Sequence, residues 1–222
     1  MSKKAIEKKF AGFLFDVDGT LTSTNELIFA SFNHVAEKYL NKKYTPKELI
    51  ALFGPPEDDI IRELVGKDYD QAHKDYFDFY FSHHTALADL YPGIKDILLS
   101  IKDSGTPLGV FTGKGKKATE ITLKVLGIHH YFDMIVTGDD VENFKPAPDG
   151  ILKFVDKFNL PKEKVLLIGD APADIKAARS AGVKIASVVW DSYAKEIVVD
   201  SKADFLFHTV DELKGFITDS LK

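Results

Sequence analysis

Six short apolar runs limit the fold of this chain more than any other feature. They are "FAGFLFDV" (10–17), "PLGVFT" (107–112), "DMIVTG" (133–138), "KVLLIGD" (164–170), "KIASVVW" (184–190) and "ADFLF" (203–207), each bounded by turn residues. Continuous apolar runs of this length are what strands buried on both faces require. Helical spacing fills intervals between the later runs, at 119–126, 148–158 and 173–181, and follows the last at 210–221. Strand alternating with helix predicts an α/β fold, a doubly wound parallel sheet covered by helices on both faces, with its site at the carboxyl ends of the strands. Asp16, Thr112 and Asp170 stand at such ends.

One interval breaks the rhythm, because residues 22–91 contain no convincing strand. Leu27, Ile28, Phe32, Val35, Ala36, Tyr39 and Leu40 keep helical spacing. Thr45, Pro46 and Glu48 write a capping box for a second helix, and Tyr69, His73, Tyr76, Phe77 and Tyr80 mark a third apolar stripe. The expected organisation is therefore a catalytic core from 1–21 and 91–222, with an all-helical lid inserted at 22–90. "DLYPGIKD" (89–96) returns the chain to the core.

Composition narrows the class. The chain has 222 residues, 45% hydrophobic and 28% charged, the balance of an ordinary globular protein. A net charge of -5 disfavours nucleic acid as a partner, since binding to phosphates needs a basic field. The absence of cysteine excludes disulfides and thiolate chemistry. No apolar run approaches the roughly 18 residues that span a bilayer, and the basic start "MSKKAIEKKF" lacks the apolar stretch of a leader. These features predict a cytoplasmic protein without a membrane partner, and leave monomer or homodimer open.

The chemistry concentrates in "FLFDVDGTLT" (13–22). Side chains two apart on a strand face the same way, so Asp16 and Asp18 converge as the first strand ends. Two carboxylates that close repel unless a cation sits between them, and Asp170 and Asp174 add two more acids at another strand end. All these donors are oxygens, which selects a hard cation, Mg²⁺, and with it phosphoryl chemistry. Taken alone, each acid is also a good turn or cap residue: Asp16 and Asp18 after a strand, Asp174 at the start of a helix.

"DVDGT", Thr112 after a strand, Lys145 before "PAPD", and "GDAPAD" together resemble the four motifs of the haloacid dehalogenase superfamily, in order and over nearly the whole chain. The helical insertion is similar to the cap of the subfamily that contains phosphoglycolate phosphatases, beta-phosphoglucomutases and small pyrophosphatases. The resemblance implies a Rossmann-like core and assigns roles. Asp16 would be the nucleophile that forms an aspartyl-phosphate, and Asp18 the general acid and then base. Thr112, the Gly113 N–H and Lys145 would hold the phosphoryl oxygens. Asp16, Asp170 and the Asp18 backbone carbonyl would bind the metal, with Asp174 either a further ligand or the acid that orients Lys145. Gly19 and Thr20 would shape the turn beside the phosphate, and Gly54, in "FGPP" (53–56), would bring a lid loop stiffened by Pro55 and Pro56 over the site.

Other features carry less. "TGKGKK" (112–117) lacks the spacing of a nucleotide phosphate loop. Lys114, Lys116 and Lys117 read as a solvated helix start, with Lys114 also a candidate contact for an anionic substrate. Arg62 is a candidate lid contact; the adjacent pairs His83–His84 and His129–His130 share no helix face and read as structural. Ala171 stands where many relatives carry a hydroxyl residue, and Asp191 where they often have glycine. The resulting expectation is a Mg²⁺-dependent phosphatase acting on a small phosphorylated metabolite, similar to phosphoglycolate phosphatase. The alternatives are a pyrophosphatase, a beta-phosphoglucomutase-like transferase, and a non-catalytic phosphate-binding protein.

Overall fold

The computed structural model describes residues 8–222, so the first seven residues of the expected core segment lie outside the described residues. Strand β1 (Gly12–Phe15) leads through the turn bearing Asp16 and Asp18 into β2 (Thr22–Ser23). Helices α1 (Asn25–Leu40), α2 (Pro46–Ile50), α3 (Glu57–Val65) and α4 (Tyr69–Leu87) follow, and β3 (Asp89–Leu90) brings the chain back. The remainder runs α5 (Ile94–Asp103), β4 (Leu108–Phe111), α6 (Lys116–Val125), β5 (Met134–Val136), α7 (Asp149–Phe158) and β6 (Val165–Gly169). It closes with α8 (Pro172–Ala181), β7 (Lys184–Val188), α9 (Lys195–Asp200), β8 (Phe205–Phe207) and α10 (Val210–Ser220).

All six apolar runs become strands of one sheet, in the order β5-β4-β1-β6-β7-β8. Every pairing in it is parallel. The chain winds outward from β1 through β4 to β5, then crosses back to lay β6 on the other side of β1. That reversal opens a crevice at the carboxyl end of β1, where a doubly wound sheet places its ligand. β1 is buried along its whole length because both faces are covered. Phe13 and Phe15 face one cluster with Ile97, Ile101 and Leu213 from α5 and α10. Leu14 faces the other with Ile151, Phe154 and Ala178 from α7 and α8. Each such fully buried large side chain contributes roughly 1.5–3 kcal/mol.

The insertion packs around its own apolar cluster, which includes Leu27, Phe32, Ile61, Tyr76 and Tyr80, and Ala118 of α6 joins it from the core. Thr45 caps α2 as its spacing predicts: Thr45 Oγ1 accepts from the Glu48 N–H at 3.3 Å, and the Thr45 N–H donates to Glu48 Oε2 at 2.7 Å. Three helices, α3, α5 and α9, extend the expected set. The 22–91 interval is also not free of strand. Thr22 pairs with Leu90 and Ser23 with Asp89 in an antiparallel ribbon, too short for any hydrophobic alternation to betray it. Both crossings between core and insertion lie side by side in that ribbon. Among the described residues no helix is long and apolar enough to cross a membrane.

Candidate active site

The end of β1 sets the site. Asp16 donates its backbone N–H to the Ile168 carbonyl at 2.9 Å, which holds it beside the end of β6. A tight turn follows, closed by the Thr22 N–H to the Val17 carbonyl at 3.1 Å and the Gly19 N–H to the Thr22 carbonyl at 2.9 Å. Gly19 has φ +76°, and a Cβ there would come within 2.5 Å of Asp170 Oδ2. Only glycine satisfies both demands. Thr20 Oγ1 donates to Asp170 Oδ1 at 3.2 Å, tying the turn to the end of β6.

Asp16, Asp170 and Asp174 converge, each offering a carboxylate oxygen within 4.8 Å of the others, and all three are buried. Among the described residues Lys145 supplies their lone lysine contact, 2.9 Å from Asp16 Oδ1 and 2.6 Å from Asp174 Oδ1. Asp174 Oδ2 accepts the Ala171 N–H at 3.0 Å, so Asp174 both caps α8 and orients the lysine. Burial pushes the Asp16 carboxyl up to about 6 against the pull of Lys145, and drives Asp170 well above the ordinary carboxylate range. Burial would lower Lys145, but Asp16 and Asp174 hold it above its usual value.

One ammonium does not neutralise three buried carboxylates. Asp16 Oδ1 is buried against Lys145 Nζ at 2.9 Å, an ammonium that it shares with Asp174. A buried oxygen in that state, within an all-oxygen donor set, fits a hard divalent cation such as Mg²⁺.

Asp18 shares the strand exit but its carboxylate does not join the cluster. It accepts from Lys114 Nζ at 3.2 and 3.1 Å, and from Thr24 Oγ1. Lys114 is thus a correction to the solvated helix start expected from "TGKGKK": its side chain is 1% exposed. Across the seam it meets Glu57 of α3, whose Oε1 lies 3.5 Å from the ammonium and whose Oε2 accepts the Gly115 N–H at 2.6 Å. A Cβ at Gly115 would come within 2.7 Å of that oxygen, so the loop admits the carboxylate only because residue 115 is glycine. Burial raises the Glu57 pKa, with Lys114 opposing. Nothing in the local pattern marks Glu57, which reads as an ordinary acidic residue in the first turn of a helix.

Thr112 donates its N–H to the Val136 carbonyl at 3.0 Å, and its Oγ1 accepts the Lys114 N–H at 3.2 Å. It shapes the loop before α6 and is not that helix's N-cap, which is Gly115. Gly54 and Gly113 face each other across the seam, the Gly54 carbonyl lying 3.6 Å from where a Gly113 Cβ would stand. A cavity of about 180 Å³ is lined by Asp16, Asp18, Thr112, Lys145, Asp170 and Asp174, together with Gly54, Gly113, Lys114 and Glu57.

Arg62 does not line this cavity; its guanidinium stacks on Tyr69 at 3.7 Å. Lys117 lies over Phe77 at 4.2 Å, and the Lys116 N–H donates to Asp139. His84 is buried and its Nε2 lies 3.1 Å from Thr122 Oγ1, a packing role. Asp191 accepts the Tyr91 hydroxyl and thereby fastens the loop after β7 to the chain's return from the insertion.

Known proteins are similar to this chain in sequence and in fold. The family model of haloacid dehalogenase-like hydrolases matches residues 13–188. The pyrophosphatase PpaX of Halalkalibacterium halodurans is 34% identical over 204 residues, covering 92% of this chain and 95% of that protein. A predicted phosphoglycolate phosphatase from Haemophilus somnus has a structure similar at TM-score 0.82 and 26% identity, over 94% of this chain and 98% of that one. CbbY from Rhodobacter sphaeroides, crystallised in complex with phosphate, is similar at TM-score 0.80 and 25% identity, over 92% and 96%. The family match runs from β1 to the end of β7 and so takes in every acid of the cluster; this chain belongs to the haloacid dehalogenase-like hydrolase family.

Proposed function

We propose that this hydrolase is a Mg²⁺-dependent phosphatase that cleaves a small phosphomonoester through an aspartyl-phosphate on Asp16, with machinery like that of phosphoglycolate phosphatases. The observation that carries the reading is the buried Asp16 carboxylate, held against Lys145 and beside Asp170, with Asp18 two residues on. The Asp16 and Asp170 carboxylates and the Asp18 carbonyl are the residues that would hold Mg²⁺. When bound, the ion neutralises charge on the transferring group and keeps Asp16 ionised.

Asp16 attacks phosphorus, the bond to the leaving oxygen breaks, and Asp18 delivers a proton to that oxygen. Thr112, the Gly113 N–H and Lys145 hold the phosphoryl oxygens as charge develops, and Asp174 keeps Lys145 aimed. Asp18 then takes a proton from water, which attacks the phosphoenzyme and releases phosphate while Asp16 is regenerated. The insertion at 22–90 acts as a lid that excludes bulk water. A second reading, in which the leaving group is phosphate and the substrate pyrophosphate, draws support from the PpaX relative.

The test is phosphate release from a panel of phosphomonoesters and pyrophosphate, with Mg²⁺ or with chelator. Asp16→Asn is expected to lower the Mg²⁺-dependent rate by at least about a thousandfold. Undiminished turnover by that variant would remove the nucleophile from the scheme.

A further inference from the structure

The cavity divides by chemistry. Its floor holds the acid cluster with Lys145. Its roof and mouth are apolar, formed by Ile28, Phe32, Phe53 and Ile60 of the insertion and by Tyr193 from the loop after β7. Phe53 and Tyr193 meet edge to face across the seam, with ring centroids 6.3 Å apart at 73°, and Phe53 is backed by Phe29 at 6.1 Å. Among the described residues, Asn25 is the one side-chain amide in the lining.

The charges are one-sided. Lys114 and Lys145 are the only cations lining the cavity among the described residues, and both are committed: Lys145 to Asp16 and Asp174, Lys114 to Asp18 and Glu57. Turning Lys114 towards a ligand would take the ammonium from two carboxylates, one of them buried. Five carboxylates line the space (Asp16, Asp18, Glu57, Asp170, Asp174); with Asp18 protonated for its acid role, both lysines and one divalent cation no more than balance the other four and leave no net positive field for a second anion. A substrate's transferring phosphoryl group has Lys145, Thr112 and loop N–H groups to meet it. A second anionic group would find no free cation among the described residues lining the cavity, and it would face the buried Glu57 carboxylate.

We infer that the enzyme selects phosphomonoesters whose leaving group is uncharged and apolar, and that Glu57 is the residue that rejects a second anion. This rests on the phosphatase reading and narrows it: the leaving alcohol carries an aliphatic or aromatic body that packs under Phe53 and Tyr193, and Asn25 can hydrogen-bond a hydroxyl on it. Phosphoglycolate and pyrophosphate, each with a second negative group, fall outside that class.

The experiment compares kcat/KM of the full chain with Mg²⁺ on propyl phosphate, phosphoglycolate and pyrophosphate, and inhibition by propylphosphonate against phosphonoacetate. Propyl phosphate and phosphoglycolate are close in size, so charge is the main variable. Propyl phosphate is expected to exceed both anionic substrates by about tenfold or more, and propylphosphonate to inhibit the more tightly. Glu57→Gln keeps an acceptor for the Gly115 N–H and should narrow the gap by about tenfold, through better use of phosphoglycolate. Equal or better turnover of phosphoglycolate or pyrophosphate by the wild type overturns the inference and leaves the phosphatase reading standing. Absence of Asp16-dependent release from every substrate overturns both.

Discussion

At the scale of single residues, the site is governed by how few positive charges oppose its acids. Lys145 is the lysine that touches both Asp16 and Asp174. Removing one partner of a buried ionic group leaves uncompensated charge, so Lys145→Met should destabilise the protein by about 3 kcal/mol in chelator. Mg²⁺ should restore part of that loss. Urea unfolding with and without the ion reads both quantities, and an unchanged midpoint in chelator would refute the argument. The raised Asp16 pKa gives a second expectation. Below about 6 the metal-free carboxyl holds a proton that an unfolded chain would release near 3.8. This group's contribution to stability is therefore complete below 3.8 and declines as pH rises through about 6, while its capacity to bind a cation grows. Mg²⁺ affinity measured by calorimetry should climb as pH rises through about 6, and keep climbing while Asp170, whose carboxyl is raised too, gives up its proton. A flat profile would mean that Asp16 is not a ligand.

At the scale of elements, the insertion is held by α1 against α4, and one acid ties them. Asp75 of α4 accepts from Lys38, from the Tyr39 hydroxyl at 2.6 Å and from Gln71 at 3.0 Å. The Lys38 hydrogen bond, then that of Tyr39, holds its carboxyl down at about 2. A depressed carboxylate stabilises fully above its unfolded value of 3.8 and loses that contribution as pH falls towards 2. Asp75→Asn should accordingly flatten the fall in Tm between pH 4 and pH 2, and lower Tm at pH 7. A variant whose acid limb matches wild type would show that the α1–α4 contact draws nothing from this charge. The same helices show what periodicity can reveal. The α1 and α4 stripes are legible because they recur over 16 and 19 residues, whereas α3, with 9, starts from the Pro-rich loop and offers too few turns for its pattern to stand out.

At the scale of the whole molecule, insertion and core are joined by a buried hydroxyl at α6 in addition to the Glu57 contacts and the apolar packing. Thr122 Oγ1 of α6 lies 2.7 Å from the Tyr80 hydroxyl and 3.1 Å from His84 Nε2, all buried. Thr122→Val keeps the shape and removes the partner of both groups, which should cost about 1–3 kcal/mol for each polar group left unpaired. Because the lost contacts lie at the seam, hydrogen exchange should accelerate in α4 before it does in the central strands. Unchanged exchange in α4 would show that the apolar contacts at Ala118 suffice.

The sequence alone determined the layered core and the floor of the site. The six apolar runs dictate a sheet buried on both faces, and the one-residue separation of Asp16 and Asp18 is covalent. They lie in the turn after β1 and not on the strand, however, so their carboxylates do not converge as strand spacing predicts and meet different lysines. Asp170 was legible as an acid at the end of an apolar run, and Lys145 only through the resemblance of its motif to those of a known family. The roof was not. Lys114 meets Asp18 across 96 residues of chain and Gly115 meets Glu57 across 58, and no local pattern records which charges face each other over such distances. Whether a lysine after a strand is solvated or enclosed depends on what the insertion lays over it. Folding the insertion onto α6 decided that, and with it which groups remain free to meet a substrate.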